Sequence, residues 1–139
     1  MKPMTRMFVS VTCNDKPGEL GKICQNLANA GINIEGFAST AGNVRLLTSD
    51  SRKTIDTLKK QGYDCKEVEV FQLRLSNRPG ELARVGKALG DANVNIDNAF
   101  GFASSQATGD VFVRVNDVKK ATPIIDRITK ETGAAQITH

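Results

Sequence analysis

The chain has 139 residues, 40% hydrophobic and 24% charged, with a net charge of +4. That balance excludes a polar disordered chain and a membrane-spanning one, and leaves room for two small folded units of about 70 residues each, small enough to bury surface against each other. The positive excess does not demand nucleic acid: basic clusters such as Arg52-Lys53 and Lys59-Lys60 share one predicted helix, where a solvated outer face accounts for them.

The start, residues 1–6, carries Lys2 and Arg6 but no apolar stretch follows that could serve as a leader, so a cytoplasmic protein is expected. Residues 7–13 alternate Met7, Val9, Val11 and Cys13 against Phe8, Ser10 and Thr12, the period of a half-buried strand. The phrase Asp15-Lys16-Pro17-Gly18-Glu19-Leu20 follows. From 18 to 30, Leu20, Ile23, Cys24, Leu27 and Ala30 form one helical stripe, which Gly31 ends. Residues 32–38 and 44–48 read as strands around an Ala41-Gly42-Asn43 turn, and Ser49 or Asp50 caps a second helix that stops near Gly62. A short strand over 65–69 completes the order βαββαβ, the split βαβ or ferredoxin-like unit.

The second half repeats the order without a linker. Phe71, Leu73 and Leu75 mark a strand, and Asn77-Arg78-Pro79-Gly80-Glu81-Leu82 restates the six-residue phrase. A helix carries Leu82, Val85, Leu89 and Ala92, and strands are expected over 94–103 and 110–115 around a longer loop at 104–109. Asp117 caps a last helix with Val118, Ala121, Ile125 and Ile128, in which Pro123 predicts a kink or a late start, and Gly133 precedes an expected final strand over 135–138. Setting Pro17 on Pro79 gives an offset of 62 that also aligns Gly18 with Gly80, Leu27 with Leu89, Asn33 with Asn95, Ile34 with Ile96 and Glu35 with Asp97. A match running through strand, turn, helix and next strand is an internal repeat of a whole unit, over 1–69 and 70–139.

Each phrase falls where a strand hands over to a helix. The first N–H groups of a helix lack intrahelical partners and carry partial positive charge, so the junction can receive a carboxylate or phosphate. Pro is expected just inside the helix start, with Gly admitting close approach to the backbone. The plainer reading is that the phrase is only good helix-start grammar, and that Asn33 and Asn95 merely begin edge strands.

Other chemistry finds little support. Cys13, Cys24 and Cys65 are scattered, with no CxxC pair, which speaks against a disulfide framework or a zinc site. The single histidine is His139, the last residue, and no spacing pairs a nucleophile with a base. No catalytic residue, metal or cofactor is expected.

A strand, then [D/N]-[K/R]-P-G-E-L, then an amphipathic helix leading into A-[G/N]-[I/V]-N-I-[E/D], resembles the ACT domain, a small regulatory module that binds amino acids. Both copies resemble it, so the chain is similar to a stand-alone tandem ACT protein without a catalytic domain. The resemblance implies an α+β fold of two ferredoxin-like repeats lying side by side, their second strands (residues 32–37 and 94–100) paired into an eight-stranded antiparallel sheet with helices on one face. It also implies a free amino acid held where the junction of one unit faces the second strand of the other. The ligand carboxylate would meet N–H groups near Gly18, Glu19 and Leu20 or Gly80, Glu81 and Leu82, beside Pro79 and the cations Lys16 or Arg78. Its ammonium would meet backbone carbonyls of the facing strand, at Asn33 and Ile34 or Asn95 and Ile96, or the side-chain oxygens of Asn33, Asn95, Glu35 or Asp97. Asp15 would repel a carboxylate where Asn77 would bond to it, which favours the second junction. A partner enzyme or regulator and a homodimer are implied too, with no nucleic acid and no membrane.

Two rival readings use the same topology. One is a ligand-free module that docks a metabolic enzyme. The other is an RNA-binding RRM, prompted by Asn98-Ala99-Phe100-Gly101-Phe102-Ala103, though that string lies in the second strand and not the third, and only 5% of residues are aromatic.

Overall fold

The computed structural model describes residues 4–103 and 105–137, with side-chain burial given over 5–103 and 105–131. Six strands and four helices make an α+β fold: β1 (Met4–Thr12), α1 (Glu19–Asn29), β2 (Ile34–Thr40), β3 (Asn43–Thr48), α2 (Ser51–Lys60), β4 (Asp64–Ser76), α3 (Glu81–Asp91), β5 (Ile96–Ala103), β6 (Thr108–Val115) and α4 (Val118–Ile137). They fall into two compact units, one of residues 6–69 and one of 70–139 together with the first five.

In the unit of residues 6–69 the strand order is β2-β3-β1-β4, with β3 antiparallel to both neighbours and Val9 opposite Leu46. Alternation sends Val9, Val11, Val44 and Leu46 to one face, where Ile23 and Leu27 of α1 and Leu58 of α2 cover them. Asp50 starts α2 by accepting the Lys53 N–H at 3.0 Å. In the other unit the order is β4-β6-β5, and Phe71, Leu73, Leu75, Val113 and Val115 pack under Val85 and Leu89 of α3 and Ala121, Ile125 and Ile128 of α4.

The expected eight strands are six, for two separate reasons. The strands expected at 65–69 and 71–75 are one, β4, because no glycine or proline interrupts 64–76; only the phase of alternation changes, Val68 and Val70 being buried and then Phe71, Leu73 and Leu75. The last expected strand is absent because α4 runs on through Gly133 to Ile137; Thr138 and His139, like Ser104 of the hairpin loop, lie outside the described residues. A glycine inside a helix costs only about 1 kcal/mol relative to alanine and did not stop it. Pro123 lies inside α4, where the Thr122 hydroxyl donates to the Val118 carbonyl at 2.7 Å. The pairing expected between 32–37 and 94–100 is not among the described ladders either: β2 pairs with β3, β5 pairs with β6, and each is the last strand of its order.

Candidate functional site

The repeated phrase is a type II turn set against a helix start. Gly18 has φ 85° and ψ −8°, and Gly80 φ 90° and ψ −11°. These are the values of the third residue of that turn, where glycine is needed, and proline suits the position before it. The Glu19 N–H donates to the Lys16 carbonyl at 3.3 Å and the Glu81 N–H to the Arg78 carbonyl at 3.5 Å, closing both turns. Pro17 and Pro79 therefore lie outside the helices, which begin at Glu19 and Glu81, and not inside them as the sequence suggested. The first bonds of helical spacing are Lys22 N–H to Gly18 and Arg84 N–H to Gly80, both at 2.9 Å, and no side chain caps either helix. Because the turn occupies the first N–H, the backbone donors left at each helix end, among the described residues, are those of Leu20 and Gly21, and of Leu82 and Ala83.

The remaining predicted residues are held in matched ways. Asn33 donates its N–H to the Ser49 hydroxyl at 3.3 Å and accepts the Ser49 N–H at 3.1 Å. Asn95 does the same with Asn116, its N–H reaching Oδ1 at 2.9 Å and its carbonyl accepting at 3.1 Å. Both asparagines thus lock a second strand to the end of the third through backbone atoms, leaving exposed side chains. Directly after Ile34 and Ile96 both registers shift, so Glu35 and Asp97 stand on equivalent bulges. Glu35 is paired with Arg6 at 3.0 Å and Asp97 with Arg114 at 3.8 Å, which engages two of the four side chains expected to accept the ammonium.

The two junctions differ in what surrounds them. At the second, Asn77 ties the β5–β6 hairpin: its N–H donates to the Ala107 carbonyl at 2.8 Å and its Nδ2 to the Ser105 carbonyl at 3.2 Å. Its amide is thus partly used inside the fold. Next to it lies a cavity of about 170 Å³ lined by Asn77, Arg78, Glu81, Leu82, Phe102 and Ala103, among others. Leu82 is 62% exposed and Phe102 54%, so the wall facing the turn is apolar and open. Phe102 was visible in the sequence only as part of the RNA-binding alternative; Phe100 stacks on Phe112 with ring centroids 5.2 Å apart, and Phe112 is buried, so the pair is not an open platform for bases.

The first junction, with Asp15 exposed beside it, has an apolar hollow of about 270 Å³ between α1 and β2, lined by Leu20, Cys24, Ile34, Phe37 and Leu46. Burial raises the Cys24 thiol above its ordinary range, as it does for Cys13 and Cys65, which keeps all three protonated at neutral pH.

Comparison with known proteins places this geometry. Residues 70–133 match the ACT domain. The aspartokinase of Corynebacterium glutamicum is 31% identical, over 78% of this chain and 30% of that protein, and that of Corynebacterium efficiens is 30% identical, over 77% and 30%. The chain thus spans less than a third of the length of these curated relatives. Among solved structures, protein BT0572 from Bacteroides thetaiotaomicron superposes with a TM-score of 0.78 at 26% identity, covering 93% of this chain and 89% of that one. The ligand-free regulatory subunit of aspartate kinase from Thermus thermophilus shares the fold, with a TM-score of 0.62 at 13% identity over 94% and 93%. One ACT domain is therefore found, in the second half of the chain, and no described helix is long and apolar enough to cross a membrane.

Proposed function

We propose that the chain is a regulatory module that binds a free amino acid at the second junction and passes that state to a partner enzyme or regulator. The observation that carries this reading is the Arg78–Glu81 turn: among the described residues it leaves the Leu82 and Ala83 N–H groups without backbone acceptors, at a helix start whose Leu82 lines a small cavity, within the segment that matches the ACT domain. The ligand carboxylate takes those donors and Arg78, while the apolar wall of Leu82 and Phe102 meets the side chain. The first half, which carries the same turn at the same offset, is read as a second, diverged repeat. The likeness to aspartokinases, confined to 30% of their length, supports regulation rather than catalysis as the role.

The helix-end attraction contributes about 0.3–1 kcal/mol, and ~2 kcal/mol when partly buried. Millimolar to micromolar binding represents about 4–8 kcal/mol, so the ligand must also be enclosed. The enclosing surface is a second copy of the chain: β2 and β5 are edge strands, and an open edge flanked by apolar side chains is a template for pairing. A homodimer so formed changes the surface shown to the partner when ligand is present, within the limit set by the difference in affinity between the two arrangements. The three free thiols fit a reducing compartment.

A thermal-shift screen against the common amino acids tests the reading. Ligand at 100 times its Kd adds about 2.7 kcal/mol to stability, a shift of several degrees for a chain of this size. A screen in which no amino acid raises the melting temperature removes the ligand and favours docking of a partner protein alone, a reading to which the exposed Leu82 and Phe102 lend themselves.

A further inference from the structure

The second junction is built unevenly toward the two ends of an amino acid. Toward a carboxylate it presents the Leu82 and Ala83 N–H groups, which meet no backbone acceptor among the described residues, and the Arg78 guanidinium, on a side chain that is 65% exposed. Arg78 lies 3.7 Å from Glu81, but a guanidinium carries five N–H donors, and one carboxylate at that distance leaves most of them open. Toward an ammonium the charged acceptors are already engaged. Among the described residues Glu81 is the only acid lining the cavity, and its two oxygens face different cations, Oε1 the Arg84 guanidinium at 3.3 Å and Oε2 that of Arg78 at 3.7 Å. An ammonium placed there would add a further positive charge beside two arginines.

The second strands are occupied in the same sense. The Asn33 and Asn95 carbonyls accept the Ser49 and Asn116 N–H groups, both at 3.1 Å, while Glu35 is paired with Arg6 and Asp97 with Arg114. A second copy that lays either edge strand over the cavity brings these acceptors with it already in use. What else the cavity offers is neutral oxygen, from Ser76 and Asn77, and an apolar wall of Leu75, Leu82, Phe102, Ala103 and Val111. A cation drawn out of water against such a wall needs an anionic partner of its own, whereas a carboxylate finds two N–H donors and a guanidinium.

We infer that the second junction selects its ligand by a carboxylate and an uncharged apolar tail and does not read the amino group, so that an amino acid and the keto acid of the same skeleton bind alike. This rests on the reading of that junction as the ligand site. The site then reports on a shared carbon skeleton, amino acid and keto acid together, and not on the amino acid alone.

The full chain is titrated with matched sets, followed through the Leu82 and Ala83 amides: valine with ketoisovalerate, isovalerate and isobutylamine, and leucine with ketoisocaproate, isocaproate and isoamylamine, with lysine and aspartate alongside. In at least one set the keto acid and the plain acid should bind within about threefold of the amino acid, where a receptor that bonds the ammonium through a charged partner loses about tenfold or more on its removal. The two amines, which lack the carboxylate, should leave both amides unmoved. Lysine and aspartate, which bring a second charge to the apolar wall, should bind about tenfold or more weakly than the better of valine and leucine. Arg78→Ala, at an exposed side chain, should weaken the amino acid and the keto acid of a set by the same factor. An amino acid that binds about tenfold or more tightly than both of its amine-free counterparts overturns the inference and leaves the junction standing as an amino-acid site. Lysine or aspartate as the tightest ligand of the panel overturns it as well. Amides that move with no compound remove the site itself, and this inference with it.

Discussion

Replacing Gly80 by alanine isolates what the repeated turn contributes. A Cβ built at Gly80 meets nothing within 4 Å, so no steric clash with neighbours enters, and the whole cost is that of holding an L-residue at φ 90°. Positive φ costs an L-residue roughly 1–2 kcal/mol, which for a chain of this length lowers the melting temperature by about 3–6 °C. Gly86, six residues further along, supplies the control: it lies inside α3, a Cβ there also meets nothing within 4 Å, and alanine should stabilise by about 0.8–1 kcal/mol. Two Gly→Ala changes in one structural element therefore carry opposite signs. Thermal melts followed by circular dichroism read both, and amino-acid affinity measured on the same samples should fall about tenfold or more in Gly80→Ala alone. Equal melting temperatures for the two variants would refute the turn geometry. A Gly80→Ala protein that is destabilised but binds as tightly as the parent would reduce the phrase to a helix start.

Asn77→Ala removes the bond from Nδ2 to the Ser105 carbonyl and should cost about 0.5–1.5 kcal/mol, read as faster amide exchange in the β5–β6 hairpin; unchanged exchange there would show that the tether is idle. Asp50→Ala removes the cap on the Lys53 N–H and should cost about 1 kcal/mol in a urea titration, with no change in amino-acid affinity at the second junction. Stability should also decline in alkali. The thiols of Cys13, Cys24 and Cys65 and the phenol of Tyr63 are all raised in the folded state, so below about pH 8.5 both states are protonated and the contribution is complete; above it the unfolded chain loses protons first and the folded state loses ground until its own groups ionise. Urea midpoints measured between pH 7 and 9.5 should fall, and fall less steeply in Cys65→Ala; a midpoint that rises with pH contradicts the burial of these groups.

Much of the fold was legible because local pattern and tertiary burial agree. The alternation of Val9 and Val11, the stripe of Ile23 and Leu27, and the caps Asp50 and Asp117 each appear where the sequence put them. The final strand was misread because Gly133 was given the weight of a helix stop, a signal of about 1 kcal/mol that twenty residues of helix outweighed. The strands expected at 65–69 and 71–75 are one because the change in alternation phase at Val70 and Phe71 is a change of buried face along a single strand and not a boundary between two. At the site, the phrase itself was readable, but its proline was placed inside the helix when it shapes the turn before it. The roles of Asn33 and Asn95 were hidden because they act through backbone atoms on Ser49 and Asn116, residues distant in sequence.

The central claim is that backbone donors at the start of α3 hold the carboxylate of an amino acid. A titration of the isotope-labelled protein with the common amino acids, followed amide by amide in nitrogen–proton correlation spectra, tests it most directly. The Leu82 and Ala83 amides should move saturably and together with that of Arg78 for at least one amino acid. An amino acid that binds while those amides stay still, or a panel in which none moves them, contradicts the account.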